Sequence, residues 1–241
     1  MDTTLQYSPI GRIDDPRPSG VRVQDRILLL ALMWRLSQHG YIGDPIKVQK
    51  TVFLAEYEAG AKGSVVFRYP YFRWDYGPFS KELRNDCRLL SDTLGYMEEG
   101  DWYVIRPDGS SLAEAFWLDV LADQRNRSIR ELLEDIAKSC AQRPGGYIQK
   151  RVYGLTVPSA PPGRRRDVAS RTVSDTPKGY DFLLLPARPK CQTFLPYEWE
   201  EVLAVELAEQ SEARDSLRRA ENDFRTGRVR VGDPIPPGLE E

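Results

Sequence analysis

Histidine and cysteine are nearly missing from this chain, which has one histidine, His39, and three cysteines, Cys87, Cys140 and Cys191, in 241 residues. The cysteines are odd in number and far apart, so they fit neither a disulfide framework nor the paired spacing of a zinc site. With the two commonest transition-metal ligands so scarce, no metal site is expected. Long apolar runs are missing too. The longest, Ile27 to Trp34, falls well short of the roughly 18 to 20 residues of a membrane span. Met1 to Gly20 is polar and carries Pro9, Pro16 and Pro18, so it does not read as a secretory signal. Neither sign of charge dominates: 34 Lys+Arg stand against 36 Asp+Glu, a net charge of −2. That argues against whole-molecule attraction to nucleic acid or to an anionic membrane, while leaving room for a local basic face. There is no Ser/His/Asp order, glycine-rich phosphate loop, H-E-x-x-H or cysteine-pair motif. His39, in Gln38-His39-Gly40, reads as a helix C-terminal residue rather than a base. The expectation is a cytoplasmic, non-enzymatic binding protein with no cofactor and no membrane partner.

Apolar residues make up 41% of the chain, enough for a real core. Residues 1–20 read as a flexible arm. Arg22 to Gln38 is apolar nearly all round and is expected to run through the middle of that core. Asp44-Pro45 supplies an N-cap and a first-turn proline for a helix over Ile46 to Ala59. Val65 to Tyr76 switches to period two, though Pro70 demotes it to an edge or irregular strand. Gly77-Pro78 is expected to open the next helix, whose apolar stripe is Phe79, Leu83, Cys87, Leu90 and Leu94. A hairpin over Tyr96 to Arg106 follows. Capping boxes at Ser111 and Ser128 then open two further helices, and a short helical piece closes the domain near Tyr153. Residues 21–155 thus form a mainly α domain with a small β component. Residues 156–179, rich in Pro, Ser, Arg and Asp, read as a linker in which Arg164, Arg165, Arg166 and Arg171 either hold an anion or only solvate the chain. Residues 180–241 form an extended and helical C-terminal segment.

The order helix, helix, strand, two-faced helix, hairpin suits a winged-helix-like module. In it Lys81, Arg84, Asn85 and Arg88 would face the DNA major groove, arginine toward guanine or phosphate and asparagine toward adenine. The alternative is an ordinary solvated helix face, its positive charge diluted by Glu82, Asp86 and Asp92.

Two motifs stand in sequence here: Lys47-Val48-Gln49-Lys50-Thr51-Val52-Phe53-Leu54, then Phe72-Arg73-Trp74-Asp75-Tyr76-Gly77-Pro78-Phe79-Ser80-Lys81-Glu82-Leu83. Together they resemble the Panacea domain of SocA-like antitoxins and the related YwgA-like proteins, over about Val21 to Tyr153. The long N-terminal arm and the C-terminal extension depart from that pattern. The resemblance implies a prokaryotic or phage origin and a helical domain found in toxin–antitoxin pairs. On physical grounds Gln49, Lys50, Trp74, Tyr76, Gly77 and Pro78 read first as a fold signature, with Gln49 placed to bond backbone left open by an irregular strand. A ligand or partner pocket is the second reading.

The stretch from Leu195 to Val202, followed by Arg214 to Val229, is similar to the toxin-binding tails of Phd/YefM-type antitoxins. On that resemblance Trp199, Leu203, Leu207, Leu217 and Phe224 would anchor a cognate protein toxin. The competing reading is a helix docked on the chain's own domain or on a dimer mate. The function expected is therefore that of an antitoxin. Its alternatives are a winged-helix-like transcription regulator bound to operator DNA and a protease adaptor.

Overall fold

The structure, a computed structural model, describes residues 17–40, 42–160, 169–179, 183–184 and 193–207. Helices α1 (Ser19–His39) and α2 (Pro45–Ala61) come first. Strands β1 (Tyr71–Trp74) and β2 (Gly77–Phe79) follow, then α3 (Lys81–Arg88), which runs into a π turn at Leu89–Thr93. The hairpin β3 (Met97–Glu99) and β4 (Tyr103–Ile105) leads to α4 (Pro107–Asp119), α5 (Arg127–Cys140) and α6 (Gly145–Tyr153). Last come β5 (Thr156–Ala160), β6 (Ala169–Thr172), β7 (Leu183–Leu184) and α7 (Tyr197–Glu206). The chain is mainly helical, with an antiparallel sheet in the order β2-β1-β7-β5-β6 and the separate β3-β4 pair. No helix among the described residues is long and apolar enough to cross a membrane.

The apolar run of α1 explains the layering. Ile27 to Met33 are fully buried, which is possible only if neighbours cover the helix on every side; α4, α5 and α7 all pack on it. α5 shows the opposite pattern. Its stripe Ile129, Leu132, Leu133, Ile136 and Cys140 is buried, while the faces between carry charge. α2 starts as its sequence dictates, with the Asp44 carboxylate accepting the Lys47 backbone N–H at 2.7 Å and Pro45 at the first helical position.

Several expectations are corrected. Gly77-Pro78 does not open a helix. Pro78 lies in β2, an edge strand that tolerates a residue with no N–H, and α3 begins only after Ser80, whose hydroxyl accepts the Leu83 N–H at 3.3 Å. Of Val65 to Tyr76 only Tyr71–Trp74 is strand, and it sits inside the sheet between β2 and β7 rather than at an edge. α4 starts at Pro107, so Ser111 is not its cap; the Ser111 hydroxyl donates instead to the Pro107 carbonyl within the first turn. Residues 156–179 are not a plain linker. β5 pairs with β6 from Thr156↔Thr172 to Ser159↔Ala169, and Val157 and Val173 are fully buried. Arg164, Arg165 and Arg166 lie outside the described residues, and Arg171 stands in β6. Nor does the arm extend to residue 20. α1 begins at Ser19, and Arg17 is buried in an ionic network.

That network joins the first helix to α3. Asp86 accepts from Arg17 Nη2 (2.8 Å), Arg26 Nε (2.8 Å) and the Tyr69 hydroxyl (3.1 Å), while Arg17 Nη1 reaches Asp25 at 2.8 Å. Asp86 is therefore not one of the acids that dilute the α3 surface. Charges taken so far from water persist only when paired and hydrogen-bonded in this way.

Candidate functional site

The β1–β2 hairpin turns through only Asp75 and Tyr76, since Trp74 pairs with Gly77. Gly77 adopts φ +105°, a backbone conformation that favours glycine, and a Cβ there would lie in ordinary contact, 3.7 Å from both Lys50 Cε and the Tyr153 ring. The tight turn lifts Trp74 and Tyr76 into solvent, 42% and 60% exposed. Behind them the Tyr153 hydroxyl donates to the Asp75 carbonyl at 3.0 Å, and Lys178 pairs with the Asp75 carboxylate at 2.9 Å.

Gln49 fixes where the next element starts. Its Nε2 donates to the Ser80 carbonyl at 2.9 Å, and the Ser80 N–H donates to its Oε1 at 2.9 Å. The side chain thus replaces a missing strand neighbour on both polar groups of one residue. The expected target is backbone of the irregular strand over Val65 to Tyr76; the partner instead lies just past β2, at the N-cap of α3.

These elements enclose a groove of about 620 Å³ between the start of α2, the hairpin and the outer face of α3. All six signature residues line it, and so do all four residues read as possible DNA contacts: Lys81, Arg84, Asn85 and Arg88. Two sets that the sequence kept apart are one site. Pro45, Ile46 and Phe79 complete the lining. Ile46 is 41% exposed, and an isoleucine directly after the first-turn proline, away from the Val48–Val52 stripe, is a legible oddity in the sequence. The cations around the groove are engaged to different degrees. Arg84 Nη2 is taken by Glu99 of β3 at 2.7 Å and its Nη1 reaches the Tyr103 hydroxyl at 3.4 Å. Burial lowers the Lys50 amine to a pKa of about 8, with Asp44 acting weakly the other way.

A second cleft of about 640 Å³ lies between α1, α4 and α5. There the Arg35 guanidinium stacks over Trp34 and Trp117 (5.2 and 5.1 Å) and donates to Glu134 at 2.8 Å. His39, in the last turn of α1, meets the same carboxylate at 3.0 Å. The Arg35 guanidinium, the His39 ring and the Glu134 carboxylate are one another's partners here.

The residues expected to anchor a toxin are placed otherwise. Leu203 and Leu207 are fully buried in the chain's own core, and Trp199 packs edge-on against Phe116 at 5.5 Å. The cause is α7, which docks on α1. Asn126, which the sequence reading did not single out, secures the approach to it by donating to the Phe194 carbonyl (2.8 Å) and accepting the Phe194 N–H (2.7 Å). In this arrangement Leu203 and Leu207 are spent on the chain's own core, while Trp199 is half-buried. Leu217 and Phe224 lie outside the described residues. No group of His, Cys, Asp and Glu among the described residues could hold a metal ion. Comparison with family models, with curated proteins and with solved structures gives no match for this chain.

Proposed function

We propose that this chain is a cytoplasmic antitoxin of the Panacea type, which neutralises a protein toxin by direct contact through the groove. One observation carries the reading. Both motifs behind the Panacea resemblance, around Gln49-Lys50 and Trp74–Phe79, converge on a single open concavity with exposed aromatics and a cationic rim. Trp74, Tyr76 and Ile46 keep large apolar surfaces in water, a cost that a monomer recovers when a partner covers them. Tryptophan, tyrosine and arginine are also the residue types that dominate interface energetics. The tail's share in toxin binding narrows to residues beyond Leu207, because Leu203 and Leu207 already belong to the core.

The winged-helix alternative has the right order of elements but the wrong charges. Its wing presents Glu98 and Glu99, and Glu99 pairs with Arg84, one of the four residues expected to face the DNA groove. An acidic wing opposes a phosphate backbone.

Co-expression with the product of the neighbouring reading frame tests the proposal. A small protein that stops growth alone should be tolerated beside the wild-type chain, and tolerance should fail with Trp74→Ala plus Tyr76→Ala. Full tolerance with that double variant excludes the groove. A gel shift on the chain's own promoter that is lost on Arg88→Ala would favour the DNA reading instead. Faster client turnover in the chain's presence would favour a protease adaptor.

A further inference from the structure

The floor of the groove holds a charge that the fold does not answer. Lys47 and Lys50 stand one turn apart on α2, and each is 1% exposed. Lys47 turns inward, its Nζ donating to the Ala141 carbonyl at 2.6 Å. Lys50 instead lines the groove. Its Nζ has one long bond, to the Ile46 carbonyl at 3.4 Å, and no carboxylate within ion-pair distance among the described residues. An ammonium carries three donors, and one removed from water without partners is costly. The Arg88 side chain, half-buried on the facing wall, also makes no hydrogen bond or ion pair among the described residues. The groove is thus an apolar slot with two cations in need of an anion.

We infer that the slot takes an acidic segment of the partner protein, an Asp or Glu carboxylate seated against Lys50 and Arg88 with an apolar neighbour lying on Trp74 and Ile46. The inference rests on the groove being the recognition surface. A carboxylate would satisfy the open Lys50 donors and return that amine toward its ordinary, charged state. Nucleic acid fits less well. Glu99 pairs with Arg84 and Asp75 lies in the hairpin turn between Trp74 and Tyr76, so each of these two lining segments carries an acid that opposes a continuous polyanion.

The full-length chain, used as bait for a random-peptide display library, tests this. The enriched peptides should place Asp or Glu beside an aromatic or aliphatic residue. For a synthetic consensus peptide, changing its acid to the amide should weaken binding about tenfold. K50M should weaken it similarly, and the amide peptide should lose little more on K50M than on the wild type. Methionine fills the same buried space, and R88Q supplies a second variant on a more exposed side chain. A neutral consensus, no enrichment, or equal affinity for wild type and both variants overturns the inference. So does a single-stranded DNA oligonucleotide that displaces the peptide and itself needs Lys50. Peptides weakened by W74A but indifferent to K50M and R88Q leave the groove standing and remove only the carboxylate; peptides indifferent to W74A remove the groove itself.

Discussion

Replacing Gln49 by leucine leaves the Ser80 N–H buried without its partner, while the Ser80 carbonyl keeps only the Arg84 N–H at 3.2 Å. An unpaired buried group of this kind costs about 1–3 kcal/mol, and the loss should appear as an earlier urea midpoint with an unchanged slope. Lys50 makes the opposite prediction. Its folded pKa, about 8, lies below the lysine value of 10.5, so the unfolded chain binds more protons between those values and the wild type gains stability as pH rises through that window. K50M should be more stable than wild type at neutral pH, with the gap narrowing toward pH 10 in parallel urea titrations. A constant gap would mean that Lys50 is not desolvated. Single residues of this sort were half legible. A glutamine-lysine pair on a buried helix face announced that something polar was being satisfied, but a side chain with several donors and acceptors does not name its partner. Ser80 is 31 positions away in sequence, and no local pattern encodes that distance.

Elements with a strong period were readable because period and burial are one physical fact. The α5 stripe and the all-round apolarity of α1 required the surroundings they have. Elements held by backbone pairing were not. β5 buries Val157 and Ser159, and Val173 is buried just past β6, so the composition of this stretch resembles that of a solvated linker, and only the ladder of β5 to β6 and to β7 makes them strands. α7 misled in another way. A helix with Leu203 and Leu207 on one face and acids elsewhere presents the same pattern whether it awaits a partner or covers its own core. Its docking on α1 makes a sharp prediction. Leu203→Ala should cost about 2–5 kcal/mol of stability, as a fully buried leucine does; a melting temperature within a degree of wild type would show that α7 is loosely held. Ending the chain before Tyr197 should destabilise the whole domain rather than merely remove a tail.

At the scale of the molecule, two ionic arrangements set the pH behaviour and the recognition surface. Inside, burial raises Asp25 to a pKa of about 7 despite its bond to Arg17, which it shares with Asp86. A raised carboxyl keeps its proton in the folded state while the unfolded chain releases it, so this contribution is fully present below about pH 4 and is lost as pH rises toward 7. Asp25→Asn should therefore gain on wild type across that interval in denaturant midpoints, and the gain should level off above it. Outside, the near-neutral net charge concealed a local cationic rim, since acids and bases that cancel in a sum are segregated in space. The groove is where the Panacea-like motifs, the exposed aromatics and the unanswered lysine meet. Hydrogen–deuterium exchange of the full chain, alone and with its toxin, tests that convergence most directly. The account predicts slowed exchange concentrated in residues 46–50 and 74–88. Protection confined to the Trp34–Trp117 cleft or to residues beyond Leu207, with the groove unchanged, would contradict it.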